Sequence, residues 1–314
     1  MFSSHNVQGY PIIMPPVKIV SPSAARLALS GSARVVPVDA TWHMPNSGLD
    51  AAKQFAQESR IPKSVFFDLD GVCCPNSKYP HMLPSQQIFG RAVSKLGIQK
   101  SDTLLVYDRS GIFSGPRAAW TFSLFGHDNV LLLDHFKQFE AEGGVESGPN
   151  TFFPAPAEYS GIGNEEFSEN YHHQVIEFEQ LVDLVDQKAI GSEYTLFDAR
   201  SADRFSGKAP EPRKGLSSGH VPGALSLPFG KVLGSDGHYK SKDELQALFK
   251  SEFNLDLSRP LDKRGIIVMC GTGVTAVILR LALERASDVD IPIRVYDGSW
   301  TEWAQRAEDM IEKD

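Results

Sequence analysis

The sequence predicts an α/β protein of two tandem domains, each a parallel sheet with helices on both faces. Three observations support this prediction. The chain has 314 residues, enough for two hydrophobic cores. Short apolar runs alternate with amphipathic stretches at 85–96, 117–125, 241–249 and 274–285, as is typical of parallel sheets covered by helices. Finally, the same succession of strand-like and helix-like segments occurs twice along the chain.

The repeat has a spacing of about 160 residues and consists of three pairs of segments in the same order. The pairs are Val35-Val-Pro-Val-Asp39 with Tyr194-Thr-Leu-Phe-Asp198, Thr103-Leu-Leu-Val-Tyr-Asp108 with Gly265-Ile-Ile-Val-Met-Cys270, and Val130-Leu-Leu-Leu-Asp134 with Ile293-Arg-Val-Tyr-Asp297. Each segment is an apolar run of strand length that ends where a loop begins. Asp108 therefore takes the place in the first copy that Cys270 takes in the second.

These elements divide the chain into four parts. We expect an N-terminal extension at 1–16, a non-catalytic first copy at 17–145, a linker at 146–171 and a catalytic second copy at 172–314. The linker is rich in Gly and Pro and has little hydrophobic periodicity, which indicates a connecting segment.

Composition excludes several classes of function. The net charge is −8 and there is no basic tract, so we expect no direct nucleic-acid ligand. No apolar run is long enough to span a membrane, and no clear targeting peptide is recognised, which leaves a cytoplasmic or mitochondrial protein. Three cysteines are too few for a disulfide scaffold. No His/Cys cluster has the spacing of metal ligands, and we expect neither a metal nor an organic cofactor.

Cys270 carries the clearest chemical signal, because it stands between a buried strand and a glycine-rich loop. Ligand sites of open α/β sheets favour this edge. Gly271 and Gly273 allow the loop to curl with its backbone N–H groups turned inward. Those donors, together with the positive end of the following helix, stabilise a thiolate and equally a persulfide. We therefore predict that Cys270 is a nucleophile.

Two phosphatase classes compete with this interpretation. A cysteine phosphatase needs Cys-x5-Arg, and the arginine position holds Ala276. The segment with Asp68 and Asp70 is similar to the first motif of haloacid-dehalogenase-type phosphatases. No later pair of aspartates follows a strand to complete a Mg²⁺ site, so this second class is also disfavoured.

The loop Cys270-Gly-Thr-Gly-Val-Thr-Ala276 resembles the rhodanese family, and within it the mercaptopyruvate branch. Thiosulfate-specific members resemble Cys-Arg-Lys-Gly-Val-Thr-Ala at this place. The resemblance covers nearly the whole chain, as a tandem of rhodanese-like domains in which only the second is active. It implies transfer of sulfur from 3-mercaptopyruvate to Cys270 with release of pyruvate. The acceptor would be thioredoxin or another thiol, cyanide, or a protein partner in cofactor or tRNA thiolation.

Two other functions remain open under the same resemblance. One is thiosulfate sulfurtransferase activity. The other is a non-enzymatic binding module, although such a module has no need of Cys270.

The resemblance also implies a set of site residues. Arg204 and Arg213 would bind the donor carboxylate through their guanidinium groups. Asp70, His81 and Thr272 would form a proton relay, although His81 could equally be a packed interface histidine. The segment 107–117 would shape the cleft and pack the domains. The predicted site comprises catalytic Cys270, Thr272, His81 and Asp70, and substrate-binding Arg204, Arg213, Gly271, Gly273, Val274 and Thr275.

Overall fold

Two five-stranded parallel sheets, one in each copy, organise the computed structural model, which describes residues 17–314. The N-terminal extension predicted at 1–16 lies outside the described residues. The first sheet has the order β1-β5-β4-β2-β3 and the second the order β6-β10-β9-β7-β8. The strands are β1 Lys18–Val20, β2 Val35–Asp39, β3 Val65–Phe66, β4 Thr103–Tyr107, β5 Asn129–Leu133, β6 Val175–Ile176, β7 Tyr194–Asp198, β8 Leu225–Ser226, β9 Gly265–Met269 and β10 Ile293–Tyr296. The predicted fold class is confirmed, and the two strand orders correspond position by position.

Serine side chains cap the N-terminal ends of three helices. Ser21, Ser85 and Ser241 each accept a backbone N–H three residues further on and so satisfy an otherwise free donor at a helix start. The helices are α1 Pro22–Ser30, α2 Ala51–Gln57, α3 Gln86–Lys95, α4 Gly115–Leu124, α5 Phe136–Ala141, α6 Asn164–Gln174, α7 Phe178–Asp186, α8 Ala202–Phe205, α9 Lys242–Phe253, α10 Ala276–Ala286 and α11 Ser299–Arg306. The four amphipathic stretches of the sequence correspond to α3, α4, α9 and α10.

Both faces of each sheet are buried. Along β4, Leu104 and Val106 belong to one hydrophobic cluster, whereas Leu105 and Tyr107 belong to another. The alternate residues of β9 divide between two clusters in the same way. Since successive side chains of a strand point to opposite faces, this division shows that apolar groups cover both faces.

A single hydrophobic cluster joins the two copies. It contains residues from β4 and α4 of the first copy and from β9 and α10 of the second. Helices α4 and α10 pack against each other at this junction, and every residue of α4 is buried. The burial of apolar surface between the copies therefore holds their sheets in one relative orientation.

The connecting stretch runs along the first copy. Glu146 pairs with Arg60 through two backbone hydrogen bonds, and Ala157 N donates to Ser94 O. Helix α6 begins at Asn164, inside the predicted linker, and leads into β6 of the second sheet.

Candidate active site

Cys270 directly follows β9, the central strand of the second sheet, and only 2% of its surface is exposed. Its N–H donates to Ser299 Oγ at 3.2 Å, and its carbonyl accepts from Trp300 N at 3.0 Å. The next carbonyl, that of Gly271, accepts from Thr301 N. The start of α11 therefore holds the backbone on which the cysteine sits.

Gly273 is required by the shape of the loop. Its φ is 78°, in the left-handed region that favours glycine. A Cβ at this position would lie 2.7 Å from Asp297 O and 3.1 Å from an Arg117 nitrogen. The loop closes tightly before α10, which begins at Ala276, two residues later than the sequence predicted.

A cleft of about 270 Å³ between the two copies contains Cys270. The first copy contributes aromatic and apolar side chains, and the second contributes the cysteine loop and three arginines, Arg200, Arg204 and Arg213. The lining residues include Trp42, Met44, Phe113, Arg204, Arg213, Phe229, Cys270, Gly271, Thr272, Val274 and Thr275. Most of the predicted site residues therefore lie around one cavity, with Gly273 in the same loop.

Asp70, His81 and Thr272 form a continuous chain of hydrogen bonds. Asp70 Oδ1 lies 2.8 Å from His81 Nε2, and His81 Nδ1 lies 3.1 Å from Thr272 Oγ1. A carboxylate can only accept, so the Nε2 proton belongs to the imidazole. In the neutral ring Nδ1 is then an acceptor for the Thr272 hydroxyl. The chain thus runs from a partly exposed carboxylate to the loop of Cys270.

The hydrogen bond from His81 lowers the pKa of Asp70 below its usual value, although partial burial opposes this effect. Trp42 adds to it, because its Nε1 lies 3.1 Å from each carboxylate oxygen. The Trp42 ring also contacts the His81 ring edge-on, with 4.7 Å between centroids. One aromatic side chain therefore restrains both members of the pair.

The two predicted arginines differ in their surroundings. Arg204 is bound by Glu211, whose carboxylate accepts from Arg204 Nη2 at 2.5 Å and from Arg200 Nη1 at 2.7 Å. Arg213 is half-buried, and burial together with the neighbouring charge of Arg204 lowers its pKa. Cys270 is among the groups whose charge acts on Arg213. The guanidinium of Arg204 is thus bound by Glu211, whereas that of Arg213 lies close enough to Cys270 for their charges to interact.

Asp108 occupies the position in the first copy that corresponds to Cys270. It follows β4, the central strand of its sheet, and is fully buried. Its Oδ2 accepts the backbone N–H groups of Phe113, Ser114 and Gly115 at 2.7–3.0 Å. The first copy therefore has a loop whose backbone donors converge on an anionic side chain of its own.

Several residues of the site were not predicted from the sequence. Trp42 follows β2 closely, and Glu211 lies between the two predicted arginines, so local sequence offered a signal for both. Arg117 was expected only to help pack the domains, and Asp297 was noted only as a repeat position. No local signal connects Arg117 and Asp297 to the site, because their contacts cross between the copies.

The second copy of the chain matches a known protein family. Residues 177–306 match the family model described as a rhodanese-like domain. The chain is 40% identical over 309 residues to thiosulfate sulfurtransferase TUM1 of Saccharomyces cerevisiae, covering 94% of this chain and 97% of the relative. The chain belongs to the rhodanese family.

Two further comparisons extend across both copies of this rhodanese-family chain. It is 37% identical to 3-mercaptopyruvate sulfurtransferase of Mus musculus, over 86% of this chain and 85% of the relative. The crystal structure of the Tum1 protein from Saccharomyces cerevisiae superposes with a TM-score of 0.84 at 38% identity, covering 96% of this chain and 99% of that one. The chain is therefore a tandem rhodanese-fold enzyme of the sulfurtransferase type.

Between residues 17 and 314, no helix has the length and apolar character needed to cross a membrane. Within the same part of the chain, no three His, Cys, Asp or Glu side chains lie together as a metal site would require.

Proposed function

We propose that this enzyme transfers sulfur from 3-mercaptopyruvate to Cys270 and releases pyruvate. The observation that carries the proposal is the hydrogen-bonded chain from Asp70 through His81 to Thr272, two residues from the cysteine. A proton must move during this reaction, and the chain offers a path for it.

The atoms of the transfer balance without an oxidant or reductant. The Cys270 thiolate attacks the thiol sulfur of the donor, so that an S–S bond forms and the sulfur–carbon bond breaks. The electron pair of the broken bond passes to carbon and gives the enolate of pyruvate. Thr272 relays the proton of the donor thiol to His81 Nδ1, and the same two groups then return it to that carbon. Pyruvate leaves, and Cys270 remains as a persulfide anion.

In this proposal Asp70 stabilises the imidazolium that forms when His81 Nδ1 takes the proton. The lowered pKa of Asp70 keeps the carboxylate charged for this purpose. The backbone donors of the loop at 271–275 would stabilise the anionic sulfur, in the manner of the loop that holds the Asp108 carboxylate. Arg213, supported by Arg204, would bind the carboxylate of the keto acid.

Thiosulfate is the second candidate donor, and the 40% identity to a yeast thiosulfate sulfurtransferase favours it. Transfer from thiosulfate releases sulfite and moves no proton. The Asp70–His81–Thr272 chain would have no function in that reaction, and the loop carries Gly271 and Thr272 where a basic pair would attract a dianion. For this reason we rank 3-mercaptopyruvate first.

The acceptor and the location are part of the proposal. The persulfide would pass its outer sulfur to a thiol such as thioredoxin, to cyanide, or to a protein of cofactor or tRNA thiolation, in the cytoplasm or the mitochondrion. We also propose the division into a non-catalytic copy at 17–145 and a catalytic copy at 172–314, joined by 146–171.

The deciding experiment measures the rate at which Cys270 gains one sulfur atom from each donor, by intact-protein mass spectrometry. We expect faster loading from 3-mercaptopyruvate at equal concentrations. A clear preference for thiosulfate would overturn the choice of donor, and loading at a residue other than Cys270 would overturn the nucleophile.

A further inference from the structure

A buried ion pair links the two copies beside the relay. Arg117 lies on α4 of the first copy and Asp297 directly follows β10 of the second. Arg117 Nη2 lies 2.6 Å from Asp297 Oδ1, and each side chain is only 2% exposed. Buried ion pairs are a poor source of net stability, because removing both charges from water offsets their attraction. Because stability alone does not account for this buried pair, we look for its role in the arrangement of the site.

The remaining bonds of this pair reach both sides of the relay. Arg117 Nη2 also donates to His81 O at 2.8 Å, and Nη1 donates to Gly273 O at 3.3 Å. Asp297 Oδ2 accepts from Leu83 N at 2.7 Å. The pair thus binds the backbone of His81 and of Leu83 on one side of the relay. On the other side it binds Gly273, the residue that follows Thr272.

The backbone of His81 needs such support. Its φ is 63°, in the left-handed region that non-glycine residues rarely adopt. A residue keeps a conformation of this kind only where its surroundings determine it. The bonds to the His81 carbonyl and to the N–H of Leu83 supply that restraint, and the His81 ring lies against Thr272 in this conformation.

We propose that the Arg117–Asp297 pair positions His81 against Thr272 and so makes the proton relay depend on the docking of the first copy onto the second. Arg117 and Asp297 are positioning residues, because they act through the backbone of the relay residues. This inference rests on the proposed function to the extent that the relay serves 3-mercaptopyruvate.

The repeat supplies a matched control. Asp134 corresponds to Asp297, and it likewise accepts a backbone N–H from the other copy, that of Tyr239 at 3.1 Å. It lies near His238 and contacts neither His81 nor the cysteine loop. Asp134→Asn and Asp297→Asn therefore remove the same charge from two equivalent places in the interface, of which only one adjoins the relay.

The experiment measures kcat and KM for both donors in the full-length variants. Asp297→Asn should lower kcat with 3-mercaptopyruvate by about 10–100-fold, since small displacements of reacting groups have effects of this size. KM should change little, because Arg213 is untouched, and the rate with thiosulfate should stay within about twofold of wild type. Asp134→Asn should keep the donor ratio of wild type.

Equal losses with both donors, or no loss, would overturn the positioning role. If Asp297→Asn fails to fold, Arg117→Lys takes its place. It keeps the charge beside Asp297 but lacks the planar fork that meets two carbonyls, and the same donor-selective loss is expected.

A readout without substrate separates this proposal from the choice of donor. The ¹⁵N signals of the His81 ring report its hydrogen bond to Thr272. We expect them to shift in Asp297→Asn and to stay in place in Asp134→Asn. If wild type prefers thiosulfate but the signals shift, the proposed donor fails and the positioning role stands. Unshifted signals overturn the positioning role whichever donor is preferred.

Discussion

His81 Nδ1 lies 3.1 Å from Thr272 Oγ1, and this hydrogen bond joins residues 191 positions apart that belong to different copies of the repeat. The first copy has Asp108 where the second has its cysteine, yet its Asp70 and His81 are joined by hydrogen bonds to Thr272 of the cysteine loop. In the proposed reaction, a copy without a nucleophile is therefore still needed for proton transfer.

Replacing Cys270 should abolish sulfur transfer without preventing the protein from folding. Cys270→Ser should abolish sulfur loading from both donors, because a hydroxyl neither ionises near neutral pH nor accepts sulfane sulfur. The change is nearly isosteric, so the free energy of unfolding should change by no more than about 1–2 kcal/mol. Mass spectrometry and urea unfolding measure the two effects. Cys73→Ser, at a half-buried cysteine, serves as the control, and sulfur loading that persists without Cys270 would contradict the proposal.

Removing the Thr272 hydroxyl should affect the two donors differently. Thr272→Val keeps the shape of the side chain but ends the relay at His81. We expect kcat with 3-mercaptopyruvate to fall about 100-fold or more, the usual contribution of general acid–base catalysis, with little change for thiosulfate. Thr272→Ser restores the hydroxyl and should restore most of the rate. Steady-state kinetics with both donors tests this, and a loss shared equally by the donors would disprove the relay.

Arg213 should govern donor affinity. Arg213→Ala removes the guanidinium that is not bound by Glu211, and KM for 3-mercaptopyruvate should rise about 10–100-fold, the effect of losing a charge-assisted hydrogen bond. Lys208→Ala, an exposed lysine in the same loop, is the matched control. An unchanged KM for Arg213→Ala would show that this arginine does not bind the donor.

Asp108 should make the stability of the first copy depend on pH. Burial raises its pKa from 3.8 to about 6 in spite of the backbone N–H groups that it accepts. A folded-state pKa above the unfolded one means that the stabilising contribution is complete below about pH 4 and is lost as the pH rises through about 6. Relative to Asp108→Asn, which does not titrate, wild type should therefore lose on the order of 3 kcal/mol across this interval.

Urea unfolding of both proteins at a series of pH values between about 4 and 7 measures this difference. The donor kinetics of Asp108→Asn at neutral pH provide the control, since the residue lies outside the cleft that holds Cys270. A difference in unfolding free energy that stays constant with pH, or that changes in the opposite sense, would contradict the prediction.

Features that depend on a local pattern of residues could be predicted from the amino-acid sequence. The tandem repeat, the parallel α/β class and the buried strand before Cys270 follow from apolar periodicity, which the structure confirms in β4, β9 and the helices after them. The glycine-rich loop could also be predicted from local sequence, since the φ of 78° at Gly273 lies in the region that favours glycine.

Contacts between residues far apart in the sequence could not be predicted and emerge from the folding of the whole chain. Arg117 and Asp297 are 180 positions apart, and nothing in either segment specifies the other. Their contact, like that of His81 with Thr272, exists because burial of apolar surface between α4 and α10 docks one copy on the other. That driving force is non-directional and is spread over many side chains, so its outcome is set by the packing of the whole interface and by no short segment of sequence.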